Sequence, residues 1–333
     1  MRVVYISSGR ETGGLSSFAN ALHSGFIALG VRAELISPKD ILRQAATGRL
    51  DVNAQYILST SAAFALPFLN DALYVAHGIP RRDAQSHWKV NSILFAYGIA
   101  SRRHKLVAVS HYVKQHLEGL YGLKIRAVVH NPVAEPFFTS ARMPRKPRTW
   151  ITFVGRLDKA KNVHRLIPPI LNALRDPRFK HLTIQILGDG PEAEPLKQAF
   201  RGNPKITFWG KQDVTAIVDA LDQSVLFFSG CETEAFGITY AEALLRGCNV
   251  LMPACGGGIE IAPLSLERNV FAFPLSFDVD ALTVITRRAL VLQQKSPYVE
   301  LATLRPDLVA REYLRLFNND RTTFPSHSTE RQQ

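Results

Sequence analysis

Cysteine is scarce: the 333 residues hold three, Cys231, Cys248 and Cys255. An odd count at no metal-ligand spacing excludes a disulfide framework and a zinc ribbon. It points instead to a reducing, cytoplasmic setting. Long apolar runs are missing too. No stretch reaches the roughly 18 residues that a membrane-spanning helix needs. The opening Met1–Ile6 is too short for a signal peptide and lacks its cleavage site, so it reads as a buried strand. There is no internal repeat and no low-complexity block. No G-x-G-x-x-G follows a strand-like run, which argues against a nicotinamide-dependent enzyme.

Acidic residues are missing from one half only. Residues 1–150 carry 19 Lys and Arg against 8 Asp and Glu, net +11, leaving +1 of the total +12 for the rest. A one-sided basic field favours an anionic partner. Nucleic acid, an anionic membrane and a phosphorylated substrate are the three classes. No helix-turn-helix, zinc or aromatic-platform signature accompanies the charge. A nucleic-acid partner is therefore not expected, and a basic nucleic-acid-binding protein stays as a rival reading.

What is present is a globular composition, 46% hydrophobic and long enough for two domains. Short apolar runs alternate with helical patterns. Strands are expected at Met1–Ser7, Val31–Ile36, Ala72–Val75, Leu106–Val109 and Arg126–His130. The pattern restarts at Trp150–Val154, Leu182–Leu187, Lys205–Phe208, Val225–Phe228 and Asn249–Met252. A helix is expected over Leu15–Leu29, where the apolar residues follow helical spacing. This alternation predicts α/β architecture: parallel sheets covered by helices on both faces. The Pro- and Arg-rich Thr139–Arg148 reads as the link between two lobes. The expected organisation is a first lobe over 1–142 and a second over 143–305. A terminal helix over 306–318 and a polar tail over 319–333 complete it. Two such lobes leave a cleft at the carboxyl ends of their strands, where open α/β sheets bind ligands.

Two motifs carry chemistry. After the strand Val225–Phe228 comes Gly230-Cys231-Glu232-Thr233-Glu234-Ala235-Phe236-Gly237-Ile238, then Glu242 eight residues beyond Glu234. On one helix the two carboxylates would diverge by about 80°. The spacing therefore predicts Glu234 in a loop and Glu242 inside the helix that follows. Gly237 lets backbone approach a ligand, and the amides of Phe236, Gly237 and Ile238 suit an anion. The plainer reading is a strand–turn–helix whose acidic start suits the helix dipole; it accounts for Glu234 but not for Glu242. The other motif is Val154-Gly155-Arg156-Leu157-Asp158-Lys159-Ala160-Lys161-Asn162. Arg156 suits a bidentate phosphate contact and Lys161 a point charge. Such residues are also common on plain surfaces.

Together these residues resemble glycosyltransferase family 4, a retaining family of the two-lobed GT-B fold. Glu234 and Glu242 match its Glu-x7-Glu element, and Gly155, Arg156, Leu157, Lys161 and Asn162 its Gly-Arg-Leu…Lys-Asn element. Gly188-Asp189-Gly190-Pro191, Trp209-Gly210-Lys211 and Gly256-Gly257 with Glu260 resemble further stations of that lobe. In the first half the likeness is looser: Gly13-Gly14 ahead of a helix, His77-Gly78 after a strand, Ser110-His111, and Asn131-Pro132-Val133 with Pro132 in place of a common glycine. Asn249 likewise stands where the family often has proline.

The resemblance implies that Arg156 and Lys161 hold a donor diphosphate, Glu234 the transferred sugar and Glu242 the ribose. It places Gly188, Gly210, Phe236, Gly237 and Ile238 around the donor, His77 near the reacting carbon, and Gly13 and Gly14 in the acceptor-side loop. No cofactor is expected, the nucleotide-sugar being substrate, and no metal. The one Asp-x-Asp element, Asp278-Val279-Asp280, reads as a helix N-cap. The expected acceptor is a saccharide or a lipid-linked one, in bacterial surface polysaccharide or lipopolysaccharide assembly. A nucleotide-sugar epimerase or phosphorylase of the same fold is the other enzymic reading. Finally, Arg81–Lys105 sets Trp88, Phe95 and Tyr97 among basic residues. It fits a peripheral contact with an anionic membrane and, equally, a core-packed helix with solvated basic ends.

Overall fold

In the computed structural model, residues 3–7, 14–80, 86–139, 147–264, 269–292 and 299–319 are described. The first lobe runs β1 (Val4–Ser7), α1 (Gly14–Ala28), β2 (Ala33–Ile36), α2 (Pro38–Ala46), β3 (Gln55–Leu58), β4 (Ala72–Ala76), α3 (His87–Arg102), β5 (Leu106–Ala108), α4 (His111–Tyr121) and β6 (Ala127–Val128). The second begins with β7 (Trp150–Val154), α5 (Val163–Ala173), β8 (Thr183–Leu187), α6 (Ala193–Ala199), β9 (Ile206–Gly210) and α7 (Val214–Asp222). It continues with β10 (Ser224–Phe228), α8 (Ile238–Leu245), β11 (Asn249–Pro253), α9 (Ile261–Leu264), β12 (Val270–Phe273) and α10 (Val279–Val291), before α11 (Pro306–Asn319).

Two six-stranded sheets result, ordered β2-β1-β3-β4-β5-β6 and β12-β11-β10-β7-β8-β9, and their strands pair in parallel. Their central strands are buried along their length: Leu226, Phe227 and Phe228 in β10, Leu73 to Ala76 in β4. That is why they read as continuous apolar runs rather than alternating ones. The order reverses between β1 and β3 in the first sheet and between β7 and β10 in the second. Ligands of open α/β sheets gather at such switch points. Two strands absent from the sequence expectation, β3 and β12, complete the sheets, and the β6 pairing is confined to Ala127–Val128.

The helix ends follow local chemistry. Ser110 caps α4 by accepting from the amide of Val113, and Gly122 closes it in the left-handed region. Asp278 caps α10, accepting from Ala281 N at 2.6 Å, as the Asp-x-Asp reading expects. After the second lobe the chain returns to the first: α11 lies against α1. The approach is so close that a Cβ at Gly25 would meet the carbonyl oxygen of Pro306 at 2.1 Å.

The crossing between lobes is pinned from the second lobe. Arg246 is 2% exposed; it forms a bidentate pair with Asp222 (2.7 and 2.6 Å) and donates to the carbonyl of Thr139 (2.7 Å). Arg148 donates to the carbonyls of Ser224, Arg246 and Gly247. Most of the expected link, residues 140–146, and residues 320–333 of the tail lie outside the described residues.

Candidate active site

The loops that follow β7 and β10 flank the switch point of the second sheet, and each carries one of the two motifs. Lys161 lies in a single 3-10 turn, Lys159–Lys161, which intervenes before α5. Glu234 lies in the loop before α8, and Glu242 one turn and more inside that helix. Across the switch point Lys161 Nζ donates to Glu234 Oε2 at 2.8 Å. Burial works against the Lys161 charge, but the Glu234 carboxylate outweighs it and holds the ammonium above its usual range. Asn162, left-handed at φ 49°, donates to the carbonyl of Gly230 (3.0 Å), and Arg165 pairs with Glu232 at 3.1 Å. The two loops are thus bound to each other before any ligand arrives.

Glycine allows this closeness. Gly188 closes β8 at φ 149°, and a Cβ there would stand 1.8 Å from the carbonyl oxygen of Gly155. Gly188 N in turn donates to Gly210 O at 2.8 Å, so the ends of β7, β8 and β9 form one layer. Gly237 sits at φ 87° against the Tyr240 ring, where a Cβ would come within 2.6 Å. Tyr240 is a member of the site that sequence reasoning missed. Its hydroxyl donates to Ser229 Oγ (3.1 Å), and its ring fills the space under Gly237 and Gly258. The glycines at those two positions were the available signal.

The remaining charges differ in state. Arg156, expected to hold the donor diphosphate together with Lys161, is mostly exposed and lies 3.6 Å from Asp158. The Glu242 carboxyl has no hydrogen-bond partner among the described residues, and burial pushes it up to about 7. Phe236 is buried and Ile238 opens α8. In the first lobe, His77 follows β4 and its ring packs edge-on against Phe18 at 4.5 Å. Its Nε2 is buried without a partner among the described residues, and burial lowers its pKa to about 3, so the ring is neutral. Gly14 is the first residue of α1; Gly13 lies outside the described residues.

First-lobe residues also touch the Glu234 loop directly. Ser110 Oγ donates to the carbonyl of Ala235 (2.6 Å), and the His130 ring stacks on Phe236 at 4.8 Å. Glu260 accepts from the amides of His111 (2.9 Å) and Tyr112 (2.7 Å).

Two parallel α/β lobes with polar loops converging at the cleft define the GT-B architecture, and solved structures share it. A glycosyltransferase from Rickettsia africae ESF-5 superposes with a TM-score of 0.69 at 18% identity, covering 97% of this chain and 99% of that one. WaaG, a glycosyltransferase involved in lipopolysaccharide biosynthesis, gives 0.67 at 15% identity, with 95% of each chain covered. Anabaena HepE in complex with UDP and glucose gives 0.64 at 16%, with 97% and 99% covered. At such identities the likeness is one of fold. Residues 140–275 match the family model described as "Glycosyl transferases group 1". The sulfoquinovosyl transferase SQD2 of Arabidopsis thaliana is 29% identical over 124 residues, 37% of this chain and 22% of that protein. A GDP-mannose-dependent alpha-mannosyltransferase of Mycolicibacterium smegmatis is 33% identical over 128 residues, 36% of this chain and 32% of that protein. The matches thus span less than a third of either relative. They liken residues 140–275, most of the second lobe, to group 1 glycosyltransferases.

Proposed function

We propose that the chain is a retaining, family 4-type glycosyltransferase that moves a sugar from a nucleotide-sugar to a saccharide or lipid-linked acceptor. The observation that carries this reading is the Lys161–Glu234 pair at 2.8 Å, built from both loops of the second lobe's switch point. A cation there neutralises charge as a diphosphate departs, and Arg156, mostly exposed beside Asp158, supplies a second. Glu234, held by Lys161, grips the sugar rather than attacking it, so no enzymic carboxylate acts as nucleophile. The departing phosphate helps deprotonate the acceptor on the face it leaves, and retention of configuration follows. Glu242 takes the ribose hydroxyls. Neutral His77 meets the sugar from the first lobe. In this reading the lysine and arginine carry the charge that a metal would otherwise carry, and activity survives EDTA. The setting we propose is bacterial surface polysaccharide or lipopolysaccharide assembly, on the cytoplasmic side.

The test is a panel of UDP- and GDP-sugars screened by thermal shift, since a donor that binds the native state raises Tm. The stabilising donor is then incubated with and without acceptor saccharides. Anomer-retained transfer supports the reading; epimerised or phosphorolysed donor without acceptor overturns it.

The acceptor side faces a distinctive surface. No helix among the described residues is long and apolar enough to cross a membrane. Yet Trp88 (80% exposed), Phe95 and Phe68 (61% each) stand out, with Phe64 stacked on Phe95 at 6.1 Å. Lys89 and Arg102 lie exposed on the same helix, α3. Exposed aromatics on a helix that also carries exposed cations suit an anionic bilayer surface at about 1 kcal/mol per nearby Lys or Arg. Lys89→Glu with Arg102→Glu should weaken co-sedimentation with phosphatidylglycerol vesicles and leave nucleotide affinity unchanged. Equal, weak sedimentation with neutral and anionic vesicles would remove the membrane from the reading.

A further inference from the structure

Several contacts between the lobes involve the short loop that carries Glu234 or the segment packed behind it. Ala235 accepts from Ser110 Oγ, a fully buried hydroxyl that at the same time accepts from Val113 N as the cap of α4. Its single proton and a lone pair are thus both committed, the proton to the other lobe. Phe236 is covered by His130. The Glu234 carbonyl accepts from Gly257 N at 2.6 Å, which fixes the loop to the segment bearing Glu260. Glu260 then reaches across to the first turn of α4, where its two oxygens take the amides of His111 and Tyr112, with His130 Nε2 at 3.4 Å. Burial works against its charge, but His130 and the two amides outweigh it and keep the carboxyl below its usual range. A charged acceptor on the free amides of a helix start is a strong, directional contact.

We infer that Ser110 and Glu260 are positioning residues that couple closure of the two lobes to the placement of Glu234. Ser110 touches the loop from one side, and Glu260 ties the segment behind the loop to the same helix start. Opening the lobes would break both contacts and free Glu234's loop on its first-lobe side. Lys161 and Gly257 would still hold it from the second lobe. Donor can then bind while the lobes are open, but the loop that carries the sugar-gripping carboxylate is held from both sides only when they close. Binding energy spent on closure thereby appears in turnover rather than in donor affinity. The inference rests on the transferase reading for its kinetic part only; the coupling of loop to closure stands on the contacts.

Glu260→Gln keeps an acceptor and removes the charge; Ser110→Ala removes the cross-lobe proton. Each should lower kcat roughly tenfold, within the range of ordinary coupling between sites, with nucleotide Kd unchanged within about two-fold. Because both act through α4, the double variant should lose less than the product of the single losses. Glu260→Asp, too short to reach both amides, should not rescue. The activity-independent readout is amide hydrogen exchange of the full chain. Exchange should quicken across residues 232–237 in both variants while strands β7 and β8 keep wild-type protection. Unchanged exchange in that loop overturns the coupling outright. Quickened exchange with wild-type kcat would show a joint that does not serve turnover, and also overturns the proposal. An inactive wild type would instead count against the transferase reading and leave the exchange result to decide the coupling.

Discussion

In the second lobe, the groups around the switch point already hold one another: Lys161 with Glu234, Asn162 with Gly230, Arg165 with Glu232. In the first lobe, the candidate histidine at the end of β4 has a buried nitrogen with no partner among the described residues. Charge divides the same way, +11 over residues 1–150 against +1 beyond. The two loops of the second lobe are tied to each other and its net charge is near zero, although Glu242 has no hydrogen-bond partner among the described residues. The first lobe keeps an unspent hydrogen-bonding group and an unbalanced positive surface. That is the division expected if a small, constant ligand such as a nucleotide-sugar belongs to the second lobe and a larger, variable acceptor to the first. Preorganised polar groups contribute most where charge develops during reaction.

The largest effect should therefore come from the second lobe. Lys161→Ala removes the cation proposed to face the departing diphosphate and leaves Glu234 without its Lys161 partner. A fall in kcat of about 100-fold or more is expected. Arg156→Ala, at a mostly exposed side chain, should cost less. Steady-state kinetics with circular dichroism as a folding check decides this, and near-normal turnover in a folded Lys161→Ala would dissolve the contrast between the lobes.

How far the molecule was legible in its sequence divides along similar lines. Strand–helix alternation of short apolar runs made both parallel sheets readable, and the motifs identified the loops after β7 and β10. The strands β3 and β12 were not readable. Each is four residues, Gln55–Leu58 and Val270–Phe273, no shorter than β1 and β2, which were read, so length alone does not account for the miss. Residue identities at the site were visible; their partners were not. Ser110 and Ala235 are 125 positions apart, Lys161 and Glu234 73. Only the sheet order, which sets β7 beside β10, brings the second pair together. Arg156 and Lys161 looked equivalent by charge, and it took the fold to show one engaged and the other exposed.

An intermediate effect is expected from His77→Ala. Loss of one hydrogen bond to the bound sugar is worth roughly tenfold in rate. On the proposed division of substrates it should fall on kcat and leave nucleotide affinity unchanged. Isothermal titration with the nucleotide beside steady-state rates separates the two. A parallel loss of nucleotide affinity would mean that the lobes do not divide the substrates.

The smallest effect concerns stability and has opposite signs in the two lobes. Burial raises Glu242 from 4.5 to about 7. Between those values the unfolded chain ionises and the folded one does not, so the native state binds more protons and loses stability as pH rises. That contribution is complete below pH 4.5 and gone once pH passes about 7. Burial lowers His77 from 6.5 to about 3, so its contribution is complete above 6.5 and is lost as pH falls towards 3. Glu242→Gln removes the first titration and His77→Asn the second. Thermal scans from pH 4.5 to 8 should show Glu242→Gln gaining on the wild type as pH rises, by about 2–4 °C if roughly 1 kcal/mol is involved. His77→Asn should gain on it as pH falls below 6.5. Parallel curves for the wild type and Glu242→Gln would mean that water already satisfies this carboxyl. If the proposed ribose contact at Glu242 forms, a saturating nucleotide should shrink the first difference and leave the second.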